Sequence, residues 1–386
     1  MVSRVNLRNW DSPSPPAEKR LQIFLKKDNS INTGDPLKEF PCLEFLKNIK
    51  YKIDESLLTM LETDDPHLQE FLYGIATEFI ERGGKRFRPA LCLLSCELVG
   101  GNPHEFIDIS CVFELFQSFA LLHDDIMDDS LMRRGKAASH RLYGVPLALN
   151  TGDLLFAKAF QTISARKDID AEVQREIFQL ISEMSIRTVE GQAQEIGWIQ
   201  KKIWDLDIQD YLKIVELKTA YYSAIIPLKV GALLGGGSHS DLDALQGFGM
   251  NFAFGFQITD DLLNLVLPDD SASHSPDLTE SKAGYGKEIG GDIVEGKRTL
   301  MIVHFLENAQ REDKELMRKI LEKEKNTPEE IETSIALLQE CGSIEFARTQ
   351  ARKYAEKAKT YLNPYPPSTP KDILIDLTDF AISRLY

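Results

Sequence analysis

The sequence has little that would favour a membrane protein, a metal–thiolate protein or a nucleic-acid-binding protein. No run reaches the roughly 18 consecutive apolar residues of a transmembrane helix, and the first residues lack the apolar core of a signal peptide. The five cysteines include no CxxC pair, which argues against structural zinc. The formal net charge of −15 argues against general nucleic-acid binding. We therefore expect a cytoplasmic protein without a membrane span.

Regular β structure is equally scarce. The chain shows no sustained period-two alternation, no βαβ rhythm and no repeat of fixed period. Apolar residues instead follow helical spacing from near Leu43 to the C-terminus, and 386 residues are enough to bury a large core. Residues 1–37 are rich in proline and polar residues and suggest a poorly ordered arm, with an organelle transit peptide as an open alternative. We predict an all-α fold with one domain at 38–386.

One apolar segment ends in an acidic cluster that local rules disfavour. In FELFQSFALLHDDIMDDSLMRRG (113–135), apolar residues recur at the spacing of a buried helix face. Asp124 and Asp128 lie one turn apart on such a helix, as do Asp125 and Asp129. Like charges at that spacing repel, and the helix dipole disfavours anions at a C-terminus. We interpret the cluster as a Mg²⁺ site rather than as a solvated helix end.

Basic residues gather at two places in the same part of the chain. The motif GGKRFRP combines glycines that end one helix with a proline suited to the first turn of the next. Lys85, Arg86 and Arg88 therefore fall at a helix N-terminus, which favours an anion. Arg133 and Arg134 follow the aspartates, and paired guanidiniums suit bidentate phosphate binding. We expect a phosphate-bearing ligand, although GGKRFRP alone also fits a plain basic loop.

A second acidic segment, FGFQITDDLLNL, lies in another apolar helix. Asp260 and Asn264 share one face of this helix, and Gln257 precedes Asp261 by one turn. Two acidic helix segments in one apolar core are costly unless they face each other across shared cations. The two segments are therefore expected to form one site.

Weaker signals lie between the two acidic segments. GQAQEIGW places Gln192 and Glu195 one turn apart, and both a site-lining and a surface position stay open for them. Lys218 and Thr219 lie in an apolar helix, where a lysine either snorkels to solvent or has an anionic partner. The triple glycine at 235–237 predicts a helix–helix turn, since neither a preceding strand nor a Lys-Ser/Thr ending accompanies it.

A third group of cations follows a polar loop at 268–286, which suits a lid. The segment KEIGGDIVEGKRTL supplies Lys287 and Lys297 on either side of a glycine pair. The chain thus combines two carboxylate clusters, several basic clusters and an aromatic-rich interior. A ligand with a diphosphate head and a greasy tail meets all three demands. Carboxylates would hold Mg²⁺ against the diphosphate while Lys and Arg complete its neutralisation.

With these motifs in this order, the chain resembles the trans-isoprenyl (polyprenyl) diphosphate synthases, above all the short-chain geranylgeranyl and farnesyl diphosphate synthases. The resemblance rests on GGKRFRP, DDIMD with RRG, GQ, KT, FQITDD and KEIGGD with a later lysine. It implies an all-α isoprenoid-synthase-type bundle around a central apolar cavity, a homodimer and about three Mg²⁺ ions per site. It further implies a prenyltransferase that condenses isopentenyl diphosphate with dimethylallyl, geranyl or farnesyl diphosphate by ionisation, condensation and elimination.

The resemblance also implies a role for each matched residue. Asp124, Asp128 and Asp260 would hold Mg²⁺ against the allylic diphosphate, with support from Asp125 and Asp261. The residues assigned to the allylic diphosphate are Arg133, Lys218, Lys287 and Lys297. The residues assigned to isopentenyl diphosphate are Lys85, Arg88, Gln117 and Arg134. Thr219 and Gln257 would lie beside the developing allylic cation. Asn264 and Glu195 depart from the family pattern, which commonly has Asp at both positions.

The helix before DDIMD bears on product length. Phe119 lies five residues before Asp124, about 7–8 Å along a helix axis, and Phe116 lies about 12 Å away. Side chains tilt toward the helix N-terminus, so a tail would run past Ala120 toward both rings. Ala120 leaves room where a second aromatic would close the pocket, and DDIMD has no two-residue insertion. In the family this pattern resembles C20 synthases, so we expect geranylgeranyl diphosphate, with farnesyl diphosphate as the alternative.

Two other classes share part of this pattern. A class I terpene cyclase would need a second metal motif with Ser/Thr and Glu, whereas the chain reads DDLLNLVLP from Asp260, and it would not need GGKRFRP. A non-catalytic subunit that modulates a synthase would be expected to lose an Asp cluster or the basic motif, and both are intact. Product analysis separates these classes.

Overall fold

The computed structural model describes residues 40–265 and 290–383. Within these ranges the chain is overwhelmingly helical, and the β structure there is one two-stranded antiparallel ribbon, β1 (Met132–Arg133) and β2 (Lys136–Ala137). The all-α prediction is confirmed. The expected arm, the polar loop after the second acidic segment and Lys287 all lie outside the described residues.

Sixteen α-helices follow one another along the described chain. They are α1 (Pro41–Met60), α2 (Gly74–Glu81), α3 (Phe87–Leu98), α4 (Ile107–Met127), α5 (Ser139–Tyr143), α6 (Val145–Ala165), α7 (Ala171–Gln200), α8 (Ile208–Ile214), α9 (Ile226–Leu234), α10 (His239–Leu265), α11 (Gly291–Val294), α12 (Leu300–Asn308), α13 (Arg311–Leu321), α14 (Pro328–Glu340), α15 (Ser343–Thr360) and α16 (Thr369–Ser383). A short turn of helix at Pro66–Leu68, a 3₁₀ turn at Pro103–Phe106 and π-helical stretches at Gln69–Tyr73 and Val215–Ile225 complete the set.

Local sequence accounts for where several helices begin. The Asp207 side chain accepts hydrogen bonds from the backbone at the start of α8, and the Asp210 side chain accepts one from the backbone N–H of Asp207, so together they form a capping box. Thr327 and Glu330 make the same arrangement at α14. Between α9 and α10 lies the triple glycine, where a Cβ on Gly235 would come within 2.5 Å of the Cys96 carbonyl oxygen. The predicted helix–helix turn is confirmed there.

Helix α4 lies at the centre of the larger hydrophobic core. All residues from Ile109 to Ser118 are buried, so this part of the helix has no solvent-facing side. It packs against α1, α3 and α6. Full burial of a side chain such as Phe113 contributes about 1.5–3 kcal/mol. The helix that carries the Asp-rich motif is therefore also a main organiser of the core.

The apolar character of α4 also meets a simple length and composition test for a membrane span. The segment that passes is Pro103–Met127, and more than half of its most apolar window is buried inside the protein. A core helix of this kind satisfies the same test without entering a bilayer.

Helix α10 links the two hydrophobic cores of the described chain. Phe248 and Phe252 near its middle belong to the larger core, whereas Ile258 and Leu262 belong to a smaller core with α12–α15. The second acidic segment therefore lies where α10 passes from one core to the other. This placement brings it opposite the C-terminal end of α4.

Candidate active site

A cavity of about 490 Å³ opens between α4, the β-ribbon, α7, the helix around Lys218, and α10. It is lined by twelve of the residues that the sequence singled out: Arg88, Gln117, Asp124, Arg133, Arg134, Glu195, Lys218, Thr219, Gln257, Asp260, Asp261 and Lys297. Lys85 adjoins Arg88 at the start of α3 and lies against the ring of Phe380. The structure thus brings the predicted carboxylates and cations to one place.

A second depression, on the surface between α8, α10 and α15, is larger, at about 880 Å³. It is lined by side chains of mixed charge, such as Lys213 and Asp243, and by none of the predicted site residues. The volume of a depression alone does not identify a reaction centre, since a site is recognised by convergent polar groups. The smaller cavity therefore remains the candidate active site.

The first acidic wall of the cavity is the end of α4. Asp124 faces the cavity and accepts a hydrogen bond from Gln192 Nε2 at 3.1 Å. Burial raises the pKa of Asp128 to about 7, and the neighbouring charge of Asp124 adds to the shift. A raised carboxyl pKa means that two negative charges are held there at a cost, which a bound divalent cation would offset. Gln192, whose position the sequence left open, belongs to the site.

The predicted pairing of Asp125 with Asp129 on one helix face is wrong. Helix α4 ends at Met127, and Asp129 has a left-handed backbone with φ of 52°. Its exposed carboxylate pairs with Arg141 at 2.5 Å. Asp125 is buried and accepts a hydrogen bond from Arg133 Nε at 2.8 Å. Because the helix ends at Met127, Asp125 and Asp129 do not stack on one helix face, where they would repel each other and the helix dipole would disfavour both.

The second acidic wall is held by uncharged hydrogen-bond donors. Asp261 is buried and accepts hydrogen bonds from Tyr211 Oη and Gln257 Nε2, both at 2.8 Å. Gln257 in turn accepts a hydrogen bond from Thr219 Oγ1 at 3.0 Å. Burial raises the pKa of Asp261 to about 7, with a further contribution from the charge of Asp292. This network orients Gln257 and Thr219 beside Asp260, which faces the cavity.

Sequence reasoning missed Tyr211 and left Asn264 undecided. Tyr211 lies seven residues before Lys218, two helical turns away on the same face, and that spacing was the available signal. Asn264 Oδ1 accepts a hydrogen bond from the backbone N–H of Asp292 at 3.0 Å, and its carbonyl accepts one from Gly290. Asn264 therefore anchors the segment that carries Lys297.

Three cations of the site have carboxylate partners. Lys218 pairs with Glu195 at 2.5 Å, and Lys297 pairs with Asp292 at 3.3 Å and with Glu295. Burial lowers the pKa of Lys218, but the nearby carboxylates outweigh it, so the net shift is upward and the lysine stays charged. Arg133 is paired with Asp125. These cations are held in place by charge before any ligand arrives.

Three of the residues assigned to isopentenyl diphosphate differ from these, because they have unsatisfied polar atoms. Within the described chain, Arg88 Nε, Gln117 Oε1 and Arg134 Nη1 are buried without a hydrogen-bond partner. Burial lowers the pKa of Arg134 to about 10, against the opposing charge of Glu114. Arg88 donates to Ser223 Oγ at 2.9 Å and lies over the ring of Tyr222. The two buried guanidinium N–H groups among them are suited to an anion.

Arg86 does not share this position, although the sequence placed it beside Lys85 and Arg88. Its side chain turns inward and is 2% exposed. It donates to Asp54 at 2.6 Å and to Glu114 at 2.8 Å. Two carboxylate partners, the buried Glu114 and the partly exposed Asp54, attract the guanidinium away from the cavity, and spacing along the motif did not reveal them.

The residues predicted to set product length lie behind the cavity wall. Phe116 and Phe119 pack edge-to-face at 5.5 Å, and Phe119 lies 4.9 Å from the ring of Phe156 on α6. The described cavity is lined on this side by Leu121 and Tyr222 rather than by Phe116, Phe119 or Ala120. Tyr222 lies 5.8 Å from Phe116 and therefore connects the cavity with the aromatic cluster. Tyr222 and Phe156 were missed from the sequence.

The donor set fits magnesium. Mg²⁺ is usually bound through one or two carboxylates together with substrate phosphates and water, rather than by a cage made of protein alone. In the described ranges, no three His, Cys, Asp or Glu side chains form such a cage. Asp124 and Asp260 line two sides of the cavity, and the charge of Asp124 acts on the nearby Asp128, so hard oxygen ligands are available on both sides. The chemistry of these residues suits ions shared with a diphosphate.

Comparison with known proteins agrees with this geometry. The family model described as polyprenyl synthetase matches residues 69–338. A short chain isoprenyl diphosphate synthase of Methanothermobacter thermautotrophicus is 34% identical over 344 residues, which are 89% of this chain and 98% of that protein. A geranylgeranyl pyrophosphate synthase of Geoglobus acetivorans is 32% identical and covers 88% of this chain and 98% of its own.

Among solved structures, the geranylgeranyl pyrophosphate synthetase of Pyrococcus horikoshii Ot3 superposes with a TM-score of 0.77 at 34% identity, over 88% of this chain and 98% of that one. The family match covers more than half of the chain and contains all of the residues that line the cavity. The chain belongs to the polyprenyl synthetase family and is a prenyltransferase.

Proposed function

We propose that this prenyltransferase condenses isopentenyl diphosphate with an allylic diphosphate in a Mg²⁺-dependent reaction and that its main product is geranylgeranyl diphosphate. The observation that carries the proposal is the division of one cavity into three parts. Carboxylates occupy two walls, cations with buried unsatisfied atoms lie beside one of them, and an aromatic cluster lies behind. A diphosphate needs the first two parts, and a prenyl tail needs the third.

The allylic diphosphate would occupy the side of the cavity that holds the acidic walls. Asp124, Asp128 and Asp260 would hold about three Mg²⁺ ions, which supply electrostatic stabilisation of the departing diphosphate. Lys218, Lys297 and Arg133 are already oriented by carboxylates, and Lys287 would join them. Fixed cations of this kind stabilise the charge that develops as the allylic carbon–oxygen bond breaks.

Isopentenyl diphosphate would bind on the side of Lys85, Arg88, Gln117 and Arg134. Its double bond then attacks the allylic cation, and a proton leaves the new chain for the released diphosphate. Thr219 Oγ1 and Gln257 Oε1 are joined by a hydrogen bond beside this position, and their dipoles would stabilise the cation. The scheme requires no protein general base, and the site residues include no histidine.

One assay tests the proposal. Purified protein with Mg²⁺ and isopentenyl diphosphate is supplied in turn with dimethylallyl, geranyl and farnesyl diphosphate, and the products are sized by chromatography after dephosphorylation. We expect elongation to C20 as the main outcome. Arrest at C15 would replace the product with farnesyl diphosphate. A cyclic hydrocarbon without isopentenyl diphosphate, or no product from any starter, would reject the synthase assignment.

A homodimer is the expected assembly, and an apolar surface supports it. Exposed apolar residues are concentrated between residues 131 and 149, including Leu142, Val145 and Leu149, and two more, Ile186 and Val189, lie on α7. Apolar groups at this density are typical of an interface between protein chains. Sedimentation velocity should give twice the chain mass, and Ile186→Arg combined with Leu149→Arg should give the monomer. A wild-type monomer at micromolar concentration would contradict the assignment.

The state of the cysteines supports the expected cytoplasmic location. All five are free, and four of them are buried. Burial raises the pKa of Cys96 to about 12, so its thiol is protonated and unreactive at neutral pH. Fractionation of cells that express the chain should place it with cytoplasmic markers, and recovery in an organelle fraction would instead assign a targeting role to the first 37 residues.

A further inference from the structure

Arg86 joins four elements of the fold, although it belongs to a motif of binding residues. It precedes α3, and its guanidinium reaches Asp54 on α1 at 2.6 Å and Glu114 on α4 at 2.8 Å. Its Nη2 also donates to the carbonyl of Ile80 on α2 at 3.1 Å. Arg86 and Glu114 are almost completely buried, so this ion pair is shielded from water.

The backbone of Arg86 supports the same interpretation. Its φ of 55° lies in the left-handed region, which is unfavourable for a residue with a Cβ. Such a conformation persists where the surroundings impose it, and here the side-chain contacts to three helices impose it. The turn that presents Lys85 and Arg88 to the cavity is therefore held in its conformation from behind by Arg86.

Arg86 also lies close to Arg134. A Cβ built on Gly84 would be 3.1 Å from Arg86 Nη1 and 3.4 Å from Arg134 Nη2, so both guanidiniums lie next to this glycine. Glu114 acts electrostatically on both of them. Its hydrogen bond nevertheless goes to Arg86, and Arg134 Nη1 has no partner in the described chain.

We propose that Arg86 is a positioning residue that occupies the buried carboxylate of Glu114 and thereby leaves Arg134 for the diphosphate of isopentenyl diphosphate. Without Arg86, Glu114 would be a buried anion without its counter-ion, and Arg134, on which Glu114 already acts electrostatically, is a cation able to neutralise it. Arg134 would then be drawn from the cavity toward Glu114. The inference rests on the proposed function, in which Arg88 and Arg134 bind isopentenyl diphosphate.

The central test is a pair of variants, Arg86→Met and Arg86→Met with Glu114→Gln. In the single variant we expect KM for isopentenyl diphosphate to rise by about tenfold to a hundredfold, the contribution of a hydrogen bond to a charged group. KM for the allylic substrate should change by less than about threefold, because the cations assigned to it have other partners. In the double variant Arg134 is released, and KM for isopentenyl diphosphate should recover by at least about fivefold.

Two further variants keep the test decisive. Arg86→Lys retains the charge, but its single ammonium group cannot bridge both carboxylates as the planar guanidinium does. We therefore expect an intermediate KM for isopentenyl diphosphate, which can be measured even where the methionine variant fails to fold. Arg166→Met is the matched control, because Arg166 also joins two carboxylates, including Asp108 on the same helix α4. Arg166→Met should lower thermal stability without raising KM for isopentenyl diphosphate more than KM for the allylic substrate.

The possible outcomes distinguish a positioning role of Arg86 from a purely structural one. Equal rises of both KM values in the Arg86 variants would assign a purely structural role and overturn the proposal, as would a double variant no better than the single one. Arg88→Met and Arg134→Met test the underlying function separately. If these raise KM for isopentenyl diphosphate and the Arg86 variants do not, the binding site stands and the positioning role fails. If neither pair affects it, the assigned binding site itself fails.

Discussion

The two acidic walls of the cavity have the same plan but different counter-charges. In each wall the first aspartate of an Asp-Asp pair faces the cavity, namely Asp124 and Asp260, and the second is buried. The buried Asp125 of the first wall is neutralised by the guanidinium of Arg133. The buried Asp261 of the second wall has a phenol and an amide as hydrogen-bond donors.

This difference shows why one sequence motif can require two kinds of support. The first wall lies at a helix end, where the chain turns back through the β-ribbon and brings Arg133 within reach. The second wall lies within the last turns of α10, with Asp292 nearby, and burial raises the pKa of Asp261 to about 7. The buried aspartate of the first wall is therefore neutralised by a cation, whereas that of the second wall is held by hydrogen bonds from uncharged groups.

The largest effect should come from the aspartates that face the cavity, where the two walls are equivalent. Asp124→Asn and Asp260→Asn should each lower kcat by about a hundredfold to a thousandfold, because each removes a charged ligand from the transition-state site. Steady-state kinetics at saturating Mg²⁺ measures this loss. Asp129→Asn is the matched control, since Asp129 is exposed and paired with Arg141, and it should retain near wild-type kcat. An Asp260→Asn variant that retained near wild-type kcat would contradict a site built from both walls.

The buried aspartates should then distinguish the walls. Arg133→Met leaves Asp125 as an uncompensated buried charge, and we expect the free energy of unfolding to fall by about 3–5 kcal/mol. Urea denaturation followed by circular dichroism measures the change. Asp125→Asn in the Arg133→Met background should recover part of the loss, because the unpaired charge is then absent. No recovery would show that packing rather than charge accounts for the loss.

A smaller loss is expected in the second wall. Tyr211→Phe removes one neutral donor from Asp261, and the free energy of unfolding should fall by about 1–3 kcal/mol. The exposed Tyr51 gives the control, because Tyr51→Phe should change it by less than about 0.5 kcal/mol. The same denaturation experiment compares both. If Tyr211→Phe cost more than Arg133→Met, the proposed contrast between charged and neutral support would be wrong.

The smallest effect on reaction rate is expected at Phe119, where a substitution should instead change the length of the product. Phe119→Ala removes a ring that packs against Phe116 and Phe156, so the space behind Leu121 enlarges and products longer than C20 should appear. Product sizing by chromatography measures this. Phe256→Ala on the opposite wall is the comparison, and it should leave product length unchanged. Unchanged length in Phe119→Ala would remove this residue from the floor of the tail pocket.

The sequence predicted much of the site because its motifs are local. Helical spacing identified α4 and α10, and burial of their apolar faces confirmed the all-α fold. Asp124, Lys218 and Gln257 lie in the cavity as expected. The position of the Asp129 carboxylate could not be predicted from spacing, because it depends on where the helix ends, at Met127, and on the ion pair with Arg141 on α5.

What the sequence by itself determined is the chemical inventory: helices, two aspartate clusters, several groups of cations, and an apolar interior. These follow from periodicity and residue type, which are properties of short segments. Only the tertiary structure decided how the charges are shared, with Arg133 held by Asp125, Lys218 by Glu195 and Arg86 by Glu114. Ion pairs between different elements depend on which groups folding buries together, because burial makes an unpaired charge costly.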